Sequence, residues 1–433
     1  MNSSQLKRDI ASEIDKISIV DPHTHMREDD LTSHAVDVLS YHWVLSELNS
    51  VGMDYDKVFT NKEIDLETRL KSILPYFPRL KNTATAQCVY NIFTDLYGFY
   101  DELNENNYKE LLDISIKKSS SANWADTVFK KAKIDAFATS VGNASKTGNA
   151  RKDFSLMADL HYLFWPAGAT DLLPWFGDFA GDVTRYAEAI ERIGRCPVSS
   201  AKDIKKAIRN FIADVYKGRT KFFNTFVPIE FRFAKVDDFA ADQALKSFRK
   251  EAGKSKKDLE LLVGYVTWTI LEVLNEINAT LQIAVGAEYF ICGGRSLSRF
   301  ESTWVSDMVK ICYQFPDIKF DFMNASFVMN HEMAVAAKMI RNFYIQNMWW
   351  HTYIPSCINS LYEKLELVPI VKLGGFYCDA YYCELTYGKL KLVKEAIVNV
   401  LYNKVENKVY NFDYAIEVAN ILLNRNPKNL YQI

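Results

Sequence analysis

The chain has 433 residues and a formal net charge of −2, and its basic residues form no block interleaved with aromatic side chains. We therefore expect no nucleic-acid partner. Hydrophobic residues make up 48% of the chain and charged residues 24%, which provides for a large core and excludes wholesale disorder.

The cysteine pattern and the N-terminus both predict a cytoplasmic protein. Seven cysteines are scattered from Cys88 to Cys383 without a CxxC pair, as is typical of reduced thiols. Residues 1–16 alternate charged and apolar side chains, unlike a signal peptide. No run reaches the roughly 18 apolar residues that a membrane span needs, so we expect no membrane partner.

The spacing of Leu6, Ile10 and Ile14 predicts an amphipathic helix at the start of the chain, and Ile17–Val20 predicts the first strand. We expect that strand to end at Asp21-Pro22, because proline cannot donate to a central ladder. Seven further short apolar or β-branched runs predict the remaining strands: Ile134–Thr139, His161–Trp165, Phe222–Pro228, Leu281–Val285, Lys319–Met323, Phe343–Met348 and Val368–Leu373.

Segments of helical periodicity separate these runs, for example Leu259–Ile277, Glu332–Ile340 and Ser356–Leu365. Strands that alternate with helices predict a parallel sheet, and a count of eight strands favours a closed barrel. The predicted fold class is therefore α/β, a (β/α)8 TIM barrel that takes in residues 1–433 as a single unit.

A long segment separates the first two predicted strands, and its periodicity is helical. The helical stretches are Val36–Leu48, Leu66–Pro75, Ala84–Tyr97 and Tyr108–Lys117. We predict that residues 26–133 form a helical insertion subdomain after strand one. It would emerge at the barrel face where active-site loops lie.

His23 and His25 directly follow the first predicted strand. Residues two apart in extended backbone point to the same side, so the two imidazoles project together. Such a pair suits one divalent ion, with zinc expected and manganese as the alternative. A hydrogen-bonded structural pair is the other explanation.

Asp379 follows the last predicted strand, after Gly374-Gly375. In a closed barrel the last strand lies beside the first, so this carboxylate can complete a site of two imidazoles and one carboxylate. Its alternative role is to cap the helix that follows. No histidine directly follows strands five and six, so the pattern supports one metal rather than two.

Three further residues at the same barrel face are candidates for substrate chemistry. His42 is either a proton donor or substrate contact, or a packed core residue. Trp350 either stacks on a sugar ring or packs the barrel against a helix. Arg295 lies in a glycine-containing loop and either binds a carboxylate or phosphate or forms a surface salt bridge.

In this order, the motifs resemble the uronate isomerase branch of the amidohydrolase superfamily, from about Ile17 to the C-terminus. The motifs are Val20–His25, Tyr41-His42-Trp43, Trp349-Trp350 and Cys378-Asp379-Ala380. The resemblance implies a (β/α)8 barrel with one divalent ion held by both imidazoles and the Asp379 carboxylate. It also implies that aldose and ketose sugar acids such as glucuronate are interconverted by proton transfer between C1 and C2, and the relatives often assemble into homo-oligomers.

Two positions depart from the family pattern. Trp43 stands where the family has a tyrosine, and Tyr381 stands where it has an arginine. The second change removes a guanidinium that would bind a carboxylate in bidentate fashion.

We predict a metal-dependent aldose–ketose isomerase that acts on a sugar acid or a related sugar. Asp379, or a metal-bound water that it orients, would move the proton, and His42 would assist. The residues expected to contact the substrate are Arg295, Trp350, Trp43 and Tyr381. The alternative is a metal-dependent hydrolase, lyase or decarboxylase on another carbohydrate-like or carboxylic acid.

Overall fold

The computed structural model describes residues 3–54, 58, 63–145, 151–167, 182–217, 220–289, 296–346, 349 and 358–433. Within them, one parallel sheet joins, in this order, β1 (Ile19–Thr24), β2 (Ile134–Ser140), β3 (Phe154–Asp159), β4 (Thr220–Phe226), β5 (Thr280–Val285), β8 (Lys319–Asn324), β9 (Phe343–Gln346) and β10 (Leu373–Gly374). A short antiparallel pair, β6 (Ala287–Tyr289) and β7 (Ser296–Ser298), follows β5.

Several helices separate β1 from β2. They are α2 (Ala35–Leu39), α3 (His42–Ser50), α4 (Leu66–Ile73), α5 (Ala84–Ile92), α6 (Tyr108–Ser119) and α7 (Trp124–Ala132). These helices overlap the stretches with helical periodicity. That residues 26–133 form a subdomain of their own stays a prediction.

The other helices of the described residues alternate with the remaining strands. They are α1 (Ser3–Ile14) before β1; α8 (His161–Phe164), α9 (Tyr186–Gly194) and α10 (Ala201–Val215) before β4; α11 (Asp238–Lys250) and α12 (Lys256–Glu276) before β5; α13 (Trp304–Gln314), α14 (Asn330–Met339) and α15 (Ile358–Leu367) before β8, β9 and β10; and α16 (Cys383–Glu406), α17 (Phe412–Asn420) and α18 (Asn426–Tyr431) after β10. Among these helices and those between β1 and β2, none is long and apolar enough to cross a membrane.

Side chains at the helix starts help to fix where these helices begin. Ser200, Asp237 and Ser255 precede α10, α11 and α12, and each accepts a hydrogen bond from the backbone N–H three residues on. These bonds satisfy amide groups that the first helical turn leaves without a partner.

The eight strands and their helices form an α/β fold of the TIM-barrel type, as the sequence predicts. The chain after β10 returns to the first strand: Asp379 N donates to His23 O at 2.9 Å, and His25 N donates to Ala380 O at 2.8 Å. The sheet is therefore curved far enough to bring its two ends together at the C-terminal side of the strands.

One predicted strand is wrong. The segment His161–Trp165 is not a strand, because residues 161–164 form the short helix α8, and β3 lies earlier, at Phe154–Asp159. Asp159 Oδ1 accepts a hydrogen bond from His161 N at 3.0 Å and so turns the chain directly after β3. A short aromatic run carries no periodicity that would distinguish a strand from a helical turn.

Strand boundaries also differ from the prediction. The strand predicted at Phe222–Pro228 begins and ends two residues earlier, as β4 (Thr220–Phe226), and β2, β5 and β8 are each one residue longer than predicted. β1 does not end at Asp21-Pro22 but continues to Thr24, which pairs with Thr139 of β2. The pairing of the two strands is irregular between Asp21 and Thr24. Proline is tolerated at such an irregularity, where no ladder N–H is needed. The last strand is shorter than predicted, since residues 370–372 form a 3-10 turn before Leu373–Gly374.

Helix α16 packs closely on α5, and a glycine permits the approach. A Cβ atom added to Gly388 would lie 2.6 Å from Cys88 Sγ and 2.9 Å from Cys88 O. Both atoms belong to α5, and one is backbone that cannot rotate away. The position of α16 relative to the segment between β1 and β2 therefore depends on this contact.

We expect Gly388→Ala to lower the free energy of unfolding by about 2 kcal/mol, because overpacking outweighs the gain in helix propensity. Gly264→Ala in α12 is the matched control, since its added Cβ would meet Val236 Cγ2 at 3.1 Å, a softer contact. Urea denaturation of both variants measures the difference. Equal stabilities would contradict the close packing of α16 on α5.

Candidate metal centre

The two histidines predicted as metal ligands project from the end of β1 towards one carboxylate. Asp379 Oδ1 lies 2.8 Å from His25 Nε2 and 3.3 Å from His23 Nε2. The imidazole rings have centroids 5.3 Å apart and planes at 89°. The His23 side chain is 4% exposed and that of His25 is 35% exposed, so this cluster is open to solvent on the His25 side.

Asp379 lies at the turn between β10 and α16 and does not cap the helix. The N-cap of α16 is Tyr382, and Asp379 has a φ of +55°. An aspartate tolerates this left-handed conformation better than most residues, although it remains uncommon. Burial would raise the pKa of Asp379, yet hydrogen bonds with His23 and His25 hold that pKa well below its usual range.

The chemistry of the cluster fits a divalent metal ion. Two imidazole nitrogens and one carboxylate oxygen lie within 4.8 Å of one another. This donor set is that of catalytic zinc and related ions, which leave further coordination positions for substrate or water. Among the described residues, these three side chains are the ones that form such a group.

A buried lysine holds the backbone of Asp379 from behind. Lys389, on α16, donates to Cys378 O at 2.5 Å and to Tyr41 Oη at 2.7 Å. Tyr41 Oη in turn donates to Asp379 O at 2.9 Å. Burial lowers the pKa of Lys389, although the Asp379 carboxylate opposes that shift. The left-handed backbone conformation of Asp379 is thus held by a hydrogen bond to its own carbonyl oxygen.

Aromatic side chains flank the two imidazoles. Tyr381 stacks on His25 with ring centroids 5.3 Å apart, and Trp349 meets His23 edge-on at 6.3 Å. His42, the first residue of α3, lies edge-on to Tyr381 at 6.0 Å. Burial lowers the pKa of His42 to about 4, so this imidazole is neutral at neutral pH.

The other predicted substrate residues divide into two groups. Trp43 is half-buried beside His42, with ring centroids 5.8 Å apart, and also packs against the main hydrophobic core. Arg295 and Trp350 lie outside the described residues. The structure therefore brings His42, Trp43 and Tyr381 together next to His25.

Three polar residues at the ends of β3 and β4 were missed by the sequence analysis. Asp159 pairs with Asn224 in the register of the sheet, and burial raises its pKa to about 6, whereas His25 and His23 lower it. His161 Nε2 and Asn224 Oδ1 are buried without a hydrogen-bond partner. The misassigned strand at His161 concealed this group, since the end of β3 was placed too late.

A hydrogen-bonded network also extends from His23 into the interior of the sheet. His23 Nδ1 lies 2.6 Å from Gln282 Oε1 on β5, and Gln282 Nε2 donates to Tyr431 Oη at 2.9 Å. Tyr431 and Tyr377 both donate to Asp321 Oδ2 on β8. All five side chains are buried. No local sequence pattern marks these residues, which come from distant parts of the chain.

Comparison with solved structures shows that the chain has the fold of known uronate isomerases. It superposes on a uronate isomerase from Thermotoga maritima with a TM-score of 0.79 at 14% identity over 99% of this chain and 97% of that one. For a uronate isomerase from Bacillus halodurans the TM-score is 0.76 at 14% identity over 100% and 97%. For glucuronate isomerase from Caulobacter crescentus it is 0.83 at 15% identity over 99% and 94%.

By sequence alone, no protein-family model and no curated protein matches the chain. At identities this low, the structural similarity establishes the fold and not the reaction. The TIM-barrel type of fold that the sequence resemblance implies is confirmed.

We expect Lys389→Met to lower the free energy of unfolding by about 2 kcal/mol, because Cys378 O and Tyr41 Oη each lose a buried donor. Lys391→Met on the same helix is the control, since Lys391 is half exposed and pairs with Asp95. An exposed pair contributes about 1 kcal/mol or less. Denaturant unfolding compares the two, and an effect of Lys389→Met no larger than that of the control would contradict the role of Lys389.

Proposed function

We propose that this chain is a metal-dependent aldose–ketose isomerase that acts on a sugar acid or a related sugar. The observation that carries the proposal is the convergence of His23, His25 and Asp379 at the end of β1, in a fold shared with two uronate isomerases and a glucuronate isomerase. The cluster provides the donors, and the class of reaction is proposed by analogy with the enzymes that share this fold.

His23 Nε2, His25 Nε2 and one oxygen of Asp379 would hold a single divalent ion, zinc or manganese. When bound, such an ion polarises a carbonyl or hydroxyl oxygen as a Lewis acid. His23 is buried on its other side and so fixes the inner wall of the site. His25 is a third exposed, and the substrate would approach from its side.

The reaction needs a proton to move between neighbouring carbons, and two groups are suited to it. The Asp379 carboxylate would carry the proton between C1 and C2. His42 is neutral because burial lowers its pKa to about 4, so its ring is available to accept a proton from a substrate hydroxyl. His42 lies near enough to Asp379 and His25 to interact with their charges.

The walls of the site suit a polyhydroxylated substrate. The faces of Tyr381 and Trp349 offer apolar surface to the C–H groups of a sugar. His161 Nε2 and Asn224 Oδ1, both buried and without a partner, would bond to its hydroxyl groups. Arg295 and Trp350 remain proposed substrate contacts, with the Arg295 guanidinium suited to a carboxylate.

The proposal also covers the closure of the barrel, the helical subdomain, the oligomeric state and the cellular location. The strands would close into a full (β/α)8 barrel, and residues 26–133 would form a helical subdomain over its mouth. The relatives implied by the sequence resemblance often form homo-oligomers, and we propose the same for this protein. The scattered cysteines favour a location in the cytoplasm.

Incubation with glucuronate and with galacturonate in D2O, after reconstitution with zinc or manganese, tests the reaction. We expect a ketose product and uptake of deuterium at the carbon next to the carbonyl, because an isomerase exchanges that hydrogen with solvent. Proton NMR of the product and of the remaining substrate measures both. Asp379→Asn should reduce the rate by at least about 100-fold.

Asp126→Asn is the control for removal of a carboxylate, since Asp126 is exposed and pairs with Arg151. It should leave the rate unchanged. Cleavage products without deuterium uptake would replace the isomerase with a hydrolase, lyase or decarboxylase. A metal-loaded protein that converts neither sugar acid would contradict the proposed substrate class.

A further inference from the structure

The network behind His23 crosses the interior of the sheet from the opposite end. Helix α18 is anchored where the strands begin: Thr280 Oγ1 donates to Leu430 O at 2.7 Å, and Asn426 Nδ2 donates to Leu373 O at 2.8 Å. From there the buried Tyr431 ring packs on Phe222, with centroids 4.3 Å apart. The Tyr431 hydroxyl reaches Gln282 and, through it, His23.

The direction of each hydrogen bond follows from the carboxylate at the end of the network. Asp321 Oδ2 can only accept when ionised, so Tyr431 donates its proton to it. The Tyr431 oxygen then accepts from Gln282 Nε2 at 2.9 Å. Pro22 O, 3.5 Å from the same nitrogen, is also an acceptor and sets the same amide orientation.

This orientation leaves only one tautomer for His23. Gln282 Oε1 faces His23 Nδ1 at 2.6 Å and is an acceptor, so Nδ1 carries the proton. Nε2 faces Asp379, and when a metal takes the place of the proton that Nε2 donates to this carboxylate, the lone pair of Nε2 becomes the ligand atom. A reversed amide would donate to Nδ1, move the proton to Nε2 and remove the ligand atom.

We propose that Gln282 and Tyr431 are positioning residues that hold His23 in the Nδ1–H tautomer required for metal binding. The inference rests on the metal site of the proposed function and adds to it residues that touch neither metal nor substrate. Partners of this kind fix ring orientation and basicity and typically change metal affinity by about 10–100-fold. Because the side chains of the network are buried, bulk solvent does not compete for their hydrogen bonds.

Two tyrosines provide a matched pair of variants. Tyr431 and Tyr377 are both buried, and both donate to Asp321 Oδ2. Of these two hydroxyls, that of Tyr431 accepts from Gln282, whereas that of Tyr377 lies 3.4 Å from the Tyr431 hydroxyl. Tyr431→Phe and Tyr377→Phe therefore lose the same group and the same acceptor, but only the first separates Gln282 from the carboxylate.

The first readout is the tautomer of His23 in the metal-free protein, measured by 15N NMR of protein labelled in its histidine rings. The resonance is assigned with a His23→Gln variant. We expect a protonated Nδ1 in the wild type and in Tyr377→Phe, and a measurable population with an unprotonated Nδ1 in Tyr431→Phe. Gln282→Leu should give the largest change, because it removes the acceptor itself.

The second readout is the dissociation constant for Zn2+ alone, measured by competition with a chelator. It should rise about 10-fold in Tyr431→Phe and about 100-fold in Gln282→Leu, and less than about 3-fold in Tyr377→Phe. Equal effects of the two tyrosine variants, or an unchanged tautomer in both Tyr431→Phe and Gln282→Leu, would overturn the inference.

The two readouts separate this inference from the proposed function. A wild-type protein that binds no zinc would contradict the metal site. The tautomer shift would still test the network, since it is measured without metal. If Gln282→Leu fails to fold, the tyrosine pair alone decides, because each variant keeps its ring and its packing.

Discussion

The site depends on the backbone hydrogen bonds that join the end of β1 to the chain after β10. Asp379 N bonds to His23 O, and His25 N bonds to Ala380 O, so the first and last parts of the sheet share one register. A shift of one residue would turn both imidazoles to the other face. The cluster of two histidines and one aspartate therefore follows from this junction between β1 and the chain after β10.

Around this junction several polar groups are buried and hydrogen-bonded to one another. Lys389 and Tyr41 hold the carbonyl oxygens next to Asp379. On the other side, the network through Gln282 ends at Asp321. A buried polar group destabilises the folded state when it lacks a hydrogen-bond partner and is held rigidly when it has one. The bonds of Lys389 and Tyr41 therefore fix the backbone of Asp379, and the network through Gln282 fixes the His23 ring.

The sequence was sufficient to predict that His23, His25 and Asp379 lie together, because their convergence follows from two simple geometric rules. Residues two apart in a strand share a face, and the last strand of a barrel adjoins the first. The end of β3 could not be predicted, because the aromatic run His161–Trp165 is too short to show either helical or strand periodicity. Lys389, Gln282 and Tyr431 could not be predicted either, because their roles arise from contacts between distant segments that no local pattern records.

The most direct test of the account is a crystal structure of the protein grown with zinc or manganese, with anomalous scattering recorded at the absorption edge of the metal. If the three side chains hold a metal, we expect one strong anomalous peak at about 2.0–2.2 Å from His23 Nε2, His25 Nε2 and an oxygen of Asp379. A structure with no peak there, in which Asp379 still bonds directly to both imidazoles, would contradict it.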